Sequence, residues 1–221
     1  MSLPFQRARS PEHKLQRRQV ILDSAARVLA RKGLADTSLN AIAQEAGVVK
    51  SGLYRYFESR EEILLRLLIS DLEAMVETLE ETVTGPTPVE DLAGLVADGF
   101  AQRPQLCLLT SATASTLEHN ITGDTLRDVK RQLLAIAART ATALSRGAPH
   151  LSVEANTQAI RMIFALVAGL YPMTTPAPHV AKILEEPEFE GLKADFHTSL
   201  RFATISMFAG IAAAGAAQAE S

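Results

Sequence analysis

Residues 37 to 62 read Thr-Ser-Leu-Asn-Ala-Ile-Ala-Gln-Glu-Ala-Gly-Val-Val-Lys-Ser-Gly-Leu-Tyr-Arg-Tyr-Phe-Glu-Ser-Arg-Glu-Glu. Two short helices that cross closely need a small residue at the crossing, a Gly where the backbone turns, and apolar anchors on both sides. Ala43 supplies the first and Gly47 the second. Ile42, Val48, Leu53 and Phe57 supply the anchors. Ser59, with Glu62 three residues later, is a capping box that opens a longer helix. The spacing predicts a helix from Thr37 or Ser38 to about Ala46, a turn at Gly47-Val48, and a short helix to about Phe57.

Helical spacing continues on both sides. Ile21, Ala25, Val28 and Leu29 form one buried stripe at i, i+4, i+7 and i+8. Ser10 is placed to cap that helix, Pro11 to occupy its first position, and Gly33 to stop it. Leu64, Leu67, Leu68, Leu72, Met75, Val76 and Leu79 carry the inner face of the helix that Ser59 opens. Gly85-Pro86-Thr87-Pro88 then breaks the chain. Further helices are expected at 89–102, 105–120, 124–146, 152–171 and 191–215. A short one is expected near Val180 to Glu186, inside the Pro-rich stretch from Pro172 to Gly191. No alternating strand pattern of useful length occurs. The fold class is all-α, divided into an N-terminal arm and three-helix domain over 1–60 and a larger helical domain over 61–221.

The net charge of −3 hides a strong asymmetry. Residues 1 to 60 hold 11 Lys/Arg against five Asp/Glu, or +6, which leaves −9 for the remainder. One end attracts phosphate and the other repels it. Cys107 is the only cysteine, which excludes an intramolecular disulfide and a cysteine zinc cluster and suits a reducing cytoplasm. No apolar stretch follows the basic N-terminus, so no secretory signal is expected. Phe202 to Ala217 is apolar but short and Ala/Gly-rich, which suits a packed helix better than a membrane span. Glu185, Glu186, Glu188 and Glu190 have no His interleaved at ligand spacing, so no metal site is expected. No cofactor-binding motif stands out. His119, His179 and His197 form no recognisable pairing with a nucleophile, which argues against a helical hydrolase or lyase.

A helix-turn-helix presents one short helix to the major groove of duplex DNA. Here that leaves Val49, Lys50, Ser51, Gly52, Tyr54, Arg55 and Tyr56 on the outward face, suited to phosphates and base edges. The stretch resembles the TetR family of one-component transcriptional regulators. It matches that family's pattern at Thr37-Ser38-Leu39, Ile42-Ala43, Ala46-Gly47-Val48, Leu53-Tyr54, Phe57, Ser59-Arg60-Glu61 and Ile63, within about 50 residues. Val49 stands where the family usually has a capping Ser, Ser51-Gly52 where it has Gly-Thr, and Arg60 where it has Lys. The resemblance implies double-stranded DNA as a partner. Tyr54, Tyr56 and Arg60 become phosphate ligands, Lys50, Ser51, Gly52 and Arg55 groove-reading residues, and Asn40 a further backbone contact. Arg7 and Arg9, in the arm over residues 1–9, are expected to follow the minor groove or adjacent phosphates, the alternative being a disordered tail.

The same resemblance implies a homodimer on a pseudo-palindromic operator, formed through the last two long helices. Ala159, Ile163, Val167, Phe196, Leu200, Met207 and Gly210 are the interface residues expected there. It also implies repression relieved by a small molecule of unknown identity. Phe100, Cys107, Thr110, Ser111, Thr113, Met162 and Phe164 are the expected lining of a mostly apolar pocket. The alternative is a dimeric DNA-binding regulator without a small-molecule ligand, governed by a protein partner or acting constitutively. A filled core in the second domain would favour that alternative, and a cavity of several hundred Å3 the ligand reading.

Overall fold

The computed structural model describes residues 11–219, with side-chain surroundings through residue 213. Ser10 as a cap and the arm with Arg7 and Arg9 lie outside the described residues. Among those described, the regular elements are all helical: α1 (Pro11–Asp36), α2 (Leu39–Glu45), α3 (Lys50–Leu53), α4 (Arg60–Thr82), α5 (Val89–Ala101), α6 (Pro104–Ala112), α7 (Gly123–Gly147), α8 (Val153–Thr174), α9 (Pro178–Leu184) and α10 (Phe196–Ala219).

The caps form where the sequence places them. Ser38 accepts a hydrogen bond from the Ala41 amide at 3.2 Å, and Ser59 accepts from the Glu62 amide at 3.0 Å. The return half of the capping box is shifted by one residue: Glu62 accepts from the Glu58 amide at 2.8 Å. Gly33 kinks α1 rather than stopping it, with φ 74° and ψ 176°, and helical residues resume up to Asp36. Val49 contributes no side-chain cap to α3. That helix is also shorter than expected, because Tyr56 and Phe57 both donate to the Leu53 carbonyl, at 2.9 and 3.0 Å, and tighten the chain into a turn.

Other boundaries differ from expectation: α10 begins at Phe196 rather than 191, since Pro187–Leu192 forms a 3₁₀ turn. The single helix expected over 105–120 is α6 followed by a π turn, Thr113–Leu117. Ser111 and Thr113 donate to the carbonyls of Cys107, Leu108 and Leu109, and such back-bonding competes with the regular ladder. Pro172 was expected to end α8, yet the helix continues to Thr174. The Thr174 hydroxyl donates to the carbonyls of Leu170 and Tyr171, satisfying part of that last turn.

α4 organises the packing. It lies against α1, α5, α6 and α7. Ile63, Leu64, Leu65 and Leu68 are fully buried, and Leu72, Val76 and Leu79 nearly so. Burying each such side chain contributes about 1.5–3 kcal/mol before conformational entropy is charged against it. α8 packs on α6, α7 and α10, and α10 also packs on α5. α9 and the 3₁₀ turn Pro187–Leu192 bury none of their residues.

Gly47 has φ 64°, and nothing lies within 4 Å of where a Cβ would stand. The cost of Gly47→Ala is therefore conformational rather than steric. A loss of about 1–2 kcal/mol is expected in denaturant unfolding, as for a non-Gly residue in the left-handed region.

Candidate nucleic-acid interface and adjoining cavity

The turn after α2 holds α3 against the domain by its inner side chains. Leu53 is fully buried and Phe57 nearly so, whereas Lys50, Ser51, Tyr54 and Arg55 are exposed. Gly52 and Tyr56 are half-buried, and Asn40 on α2 is exposed. Tyr54, at 53% exposure, is not a core residue. No hydrogen bond or ion pair engages Lys50 or Arg55 among the described residues. The outward face therefore offers two cations, two phenol hydroxyls and a serine around a glycine, chemistry suited to phosphates and base edges.

Arg60 departs from that face. Its guanidinium donates to the Thr37 carbonyl at 2.5 Å and to the Leu34 carbonyl, and it pairs with Glu61 at 3.3 Å. It ties the end of α1 to the start of α4, so a role in binding phosphate would require breaking those bonds. The sequence reasoning missed a second such arginine. Arg18 donates to the Tyr56 carbonyl, lies 4.3 Å from the centroid of the Phe57 ring, and stands 3.8 Å from Glu62. Its signal was its place one turn before Ile21 on the inward stripe of α1. Arg27 and Arg31 pair with Glu45 at 2.8 and 2.7 Å, fastening α2 to α1. Hydrogen bonds from Arg27, then Arg31, hold the Glu45 carboxyl below its usual range.

Glu58, just beyond the reading turn, joins this head to the far domain. Its carboxylate accepts from the Thr122 amide at 2.7 Å, the Thr122 hydroxyl at 2.9 Å and the Thr125 hydroxyl at 2.8 Å, at the N-terminus of α7. Burial pushes the Glu58 carboxyl up, but the Thr122 amide and the two hydroxyls outweigh it and hold the group below its ordinary value. Arg66 adds a second tie, reaching Glu62 at 3.4 Å and Asp128 of α7 at 2.7 Å.

Farther along, α4, α5, α7 and α8 enclose a cavity of about 550 Å3. Phe100 and Phe164 line it, as expected, with Leu72, Val76, Leu79, Ile136 and Leu144. The other five expected lining residues lie elsewhere. Cys107 is fully buried, with its thiol 3.3 Å from the Phe100 carbonyl, and burial pushes that thiol up to about 12. Ser111 and Thr113 are occupied by carbonyls of their own helical segment. Thr110 is buried with no partner for its hydroxyl. Met162 is exposed on the outer side of α8. All but Met162 fall on α6 or the turn after it, on a side of the core that the cavity does not reach.

The expected dimer residues divide similarly. Ala159, Ile163, Val167 and Leu200 are buried within the chain, and Ile163 lines the cavity. Phe196 meets Tyr171 edge-on, with centroids 5.4 Å apart at 88°. Met207 is half-buried, and only Gly210 stands exposed. The exposed stripe is the neighbouring one: Met162, Ala165, Gly169 and Met173 on α8, with Phe202, Ser206, Ala209, Gly210 and Ala213 on α10. Phe202 is 73% exposed. Helical periodicity finds such stripes but does not distinguish an internal face from an external one.

Among the described residues, no cluster of His, Cys, Asp or Glu is suited to hold a metal ion, and no single helix is long and apolar enough to cross a membrane. A helix-turn-helix head joined by a buried helix to an all-helical, cavity-bearing domain defines a DNA-reading regulator as a class. Comparison with known proteins gives the family. Residues 21–67 match the family described as bacterial regulatory proteins, tetR family, and residues 65–215 match the tetracyclin repressor-like C-terminal domain. The chain belongs to the TetR family of transcriptional regulators.

It is 30% identical over 92 residues to the HTH-type transcriptional repressor KstR2 of Mycolicibacterium smegmatis, covering 41% of this chain and 45% of that protein. It is 32% identical over 82 residues to the fatty acid metabolism regulator protein of Bacillus subtilis, covering 37% and 42%. The chain thus spans less than half the length of these curated relatives. Among solved structures, FadR from Bacillus subtilis in complex with stearoyl-CoA is similar in fold, with a TM-score of 0.53 at 19% identity, covering 86% of this chain and 98% of that one.

The Glu58 contact carries a pH signature. Because its folded value is depressed, its stabilisation is fully present above the unfolded carboxyl value of about 4.3 and is lost as pH falls through the folded value. Glu58→Gln should lower stability by about 1 kcal/mol at neutral pH. In melting curves taken from pH 7 downward, the gap between the two proteins should close below about pH 4.

Proposed function

We propose that this chain is a homodimeric transcriptional repressor that grips its operator through two reading heads and is released by a small molecule held between α4, α5, α7 and α8. The single observation that carries the reading is the exposed Lys50, Ser51, Tyr54 and Arg55 face, backed by buried Leu53 and Phe57. Lys50, Ser51, Gly52 and Arg55 read the groove, and Asn40, Tyr54 and Tyr56 hold phosphate. The +6 balance of residues 1 to 60 supports this placement, since phosphate contacts dominate affinity for DNA. The cytoplasm, where such a partner is met, is the proposed location, and none of these roles requires enzymatic chemistry.

One such head spans too little DNA for useful specificity, so two are needed, spaced by a dimer. The exposed stripe on α8 and α10 is the surface we assign to that dimer. Its small residues let helices approach closely, while Phe202, Met162 and Met173 supply area to bury. The cavity favours a small-molecule effector over control by a protein partner alone. Relatives described as repressors, one of them as nicotine-responsive, support the same reading.

Release follows from differential affinity for two conformations. An occupant of the cavity presses on α4 and α7 together, and α7 begins beside Thr122 and Thr125, where Glu58 is held. A shift of α7 would therefore be felt one residue beyond the reading turn. In Glu58→Gln, operator affinity should change less on ligand addition than in the native chain, as electrophoretic mobility shift would read. An unchanged ligand response would remove Glu58 from the route.

The decisive experiment is selection of bound duplexes from a random pool, followed by affinity measured across salt concentrations. A pseudo-palindrome with half-sites about one helical turn apart is expected. Lys50→Ala and Arg55→Ala should each weaken binding, and where the contact is to phosphate the salt slope should fall by about 1 per reading head. Enrichment of no sequence would overturn the reading.

A further inference from the structure

The deep part of the cavity has almost nothing with which to bind a polar ligand. Its nearly buried walls are Leu72, Val76, Phe100, Ile136, Leu144 and Ile163. Thr140 is the one polar side chain among its buried lining residues, and its hydroxyl already donates to the Ile136 carbonyl at 2.8 Å. A polar group placed there would lose its water without regaining a full set of hydrogen bonds, at a cost of about 1–3 kcal/mol or more. Whatever fills this end must be apolar.

The charged lining residues are Asp98 and Arg103, half-buried, and Lys130 and Arg161, exposed; none belongs to the fully buried wall. Two of them are already engaged. Asp98 is paired with His197 at 2.5 Å, and Lys130 with Glu118. Arg103 donates to the Gly99 carbonyl at 2.9 Å and to the Thr78 hydroxyl at 3.5 Å, with no carboxylate within 4 Å among the described residues. Arg161 is exposed and has neither hydrogen bond nor ion pair among the described residues. Of the acids of α4, Asp71 is near enough to feel the charge of Arg103, whereas Glu73, Glu77 and Glu80 act on Arg139, and none of the four lines the cavity.

We propose that the cavity takes a molecule with an extended apolar body and one anionic head, a carboxylate or a phosphate, with the body among the α4, α5 and α7 side chains and the head held at the rim by Arg103 and Arg161. This rests on the reading of the cavity as the effector site and names the chemistry of its occupant. A planar guanidinium matches carboxylate and phosphate oxygens bidentately. A cationic ligand would meet like charge at this rim. A neutral one would leave the arginines without an anionic partner.

The test uses four single-chain probes of equal length on the full chain, each kept below its micelle concentration: decanoate, decyl phosphate, decanol and decylammonium. Binding is titrated by calorimetry, and release of the selected operator is scored in parallel. One or both anions should bind and release DNA, with the preferred one identifying the head group. Decanol should bind at least tenfold more weakly, and decylammonium should not compete. Arg161→Gln, at an exposed position that does not threaten folding, should weaken the preferred anion by about 10- to 100-fold, the range of a charge-assisted hydrogen bond. Arg103→Gln is the second variant. Ala137→Phe, which fills space from a lining position, should abolish binding of every probe if they enter the cavity.

Equal binding of decanol and decanoate, tighter binding of decylammonium, or anion affinity unmoved in both arginine variants would each overturn the proposal. Binding of none of the four would overturn it too. In that case retained operator selection would leave the DNA-reading assignment standing, whereas its loss would show that the broader reading had failed.

Discussion

The burial of α4 is the constraint on which the rest of this structure depends. At its start, Ile63, Leu64, Leu65 and Leu68 are closed off from solvent beside the helices that carry the reading face. One to three turns later, Leu72, Val76 and Leu79 form a wall of the cavity. A single rigid helix thus belongs to two packed regions. Close-packed interiors do not deform continuously, so a change in the packing of one end is transmitted to the other. Ser59 sets where this helix begins, and Arg60 binds that point to the end of α1. The position of the reading turn is therefore tied to the packing of the core by a cap and a few hydrogen bonds.

The cations of the N-terminal region serve two purposes that a charge count merges. Arg18, Arg27, Arg31 and Arg60 are engaged by carboxylates or backbone carbonyls and hold the three-helix head together. Guanidinium groups suit this work, because one planar fork satisfies two acceptors at once. Lys50 and Arg55 are left to the outside. The same +6 balance that draws phosphate toward this end of the chain therefore also makes the head that reads it.

α7 is held twice at its start, by Glu58, just before α4, at Thr122 and Thr125 and by Arg66 of α4 at Asp128. Higher up, Arg139 meets Glu80 at 2.5 Å, beside the stretch of both helices that lines the cavity. The cavity wall is apolar and its solvent edge charged, which separates the filling of the site from the recognition of what fills it.

Local rules determined much of this from the sequence alone. The all-α class, the caps at Ser38 and Ser59, the turn at Gly47 and the outward set around Lys50 and Arg55 each depend on residues within a few positions of one another. Gly47 needs only its own φ, and Ser59 only the amide three residues on. Other features required the tertiary structure, because they depend on which of two equally periodic faces meets another helix. Ala159, Ile163 and Val167 form as good a stripe as Met162, Ala165, Gly169 and Met173, and only packing against α6, α7 and α10 turned the first inward. Cys107, Thr110 and Thr113 had a composition suited to a pocket, but they lie on a side of the core the cavity does not reach. Arg60 read as a phosphate ligand and Glu58 only as one acid among five, and their partners, Leu34 and Thr122, come to them across 26 and 64 residues. Helical period and capping are written in neighbouring residues, whereas the choice of partner is made by the packing of the whole chain.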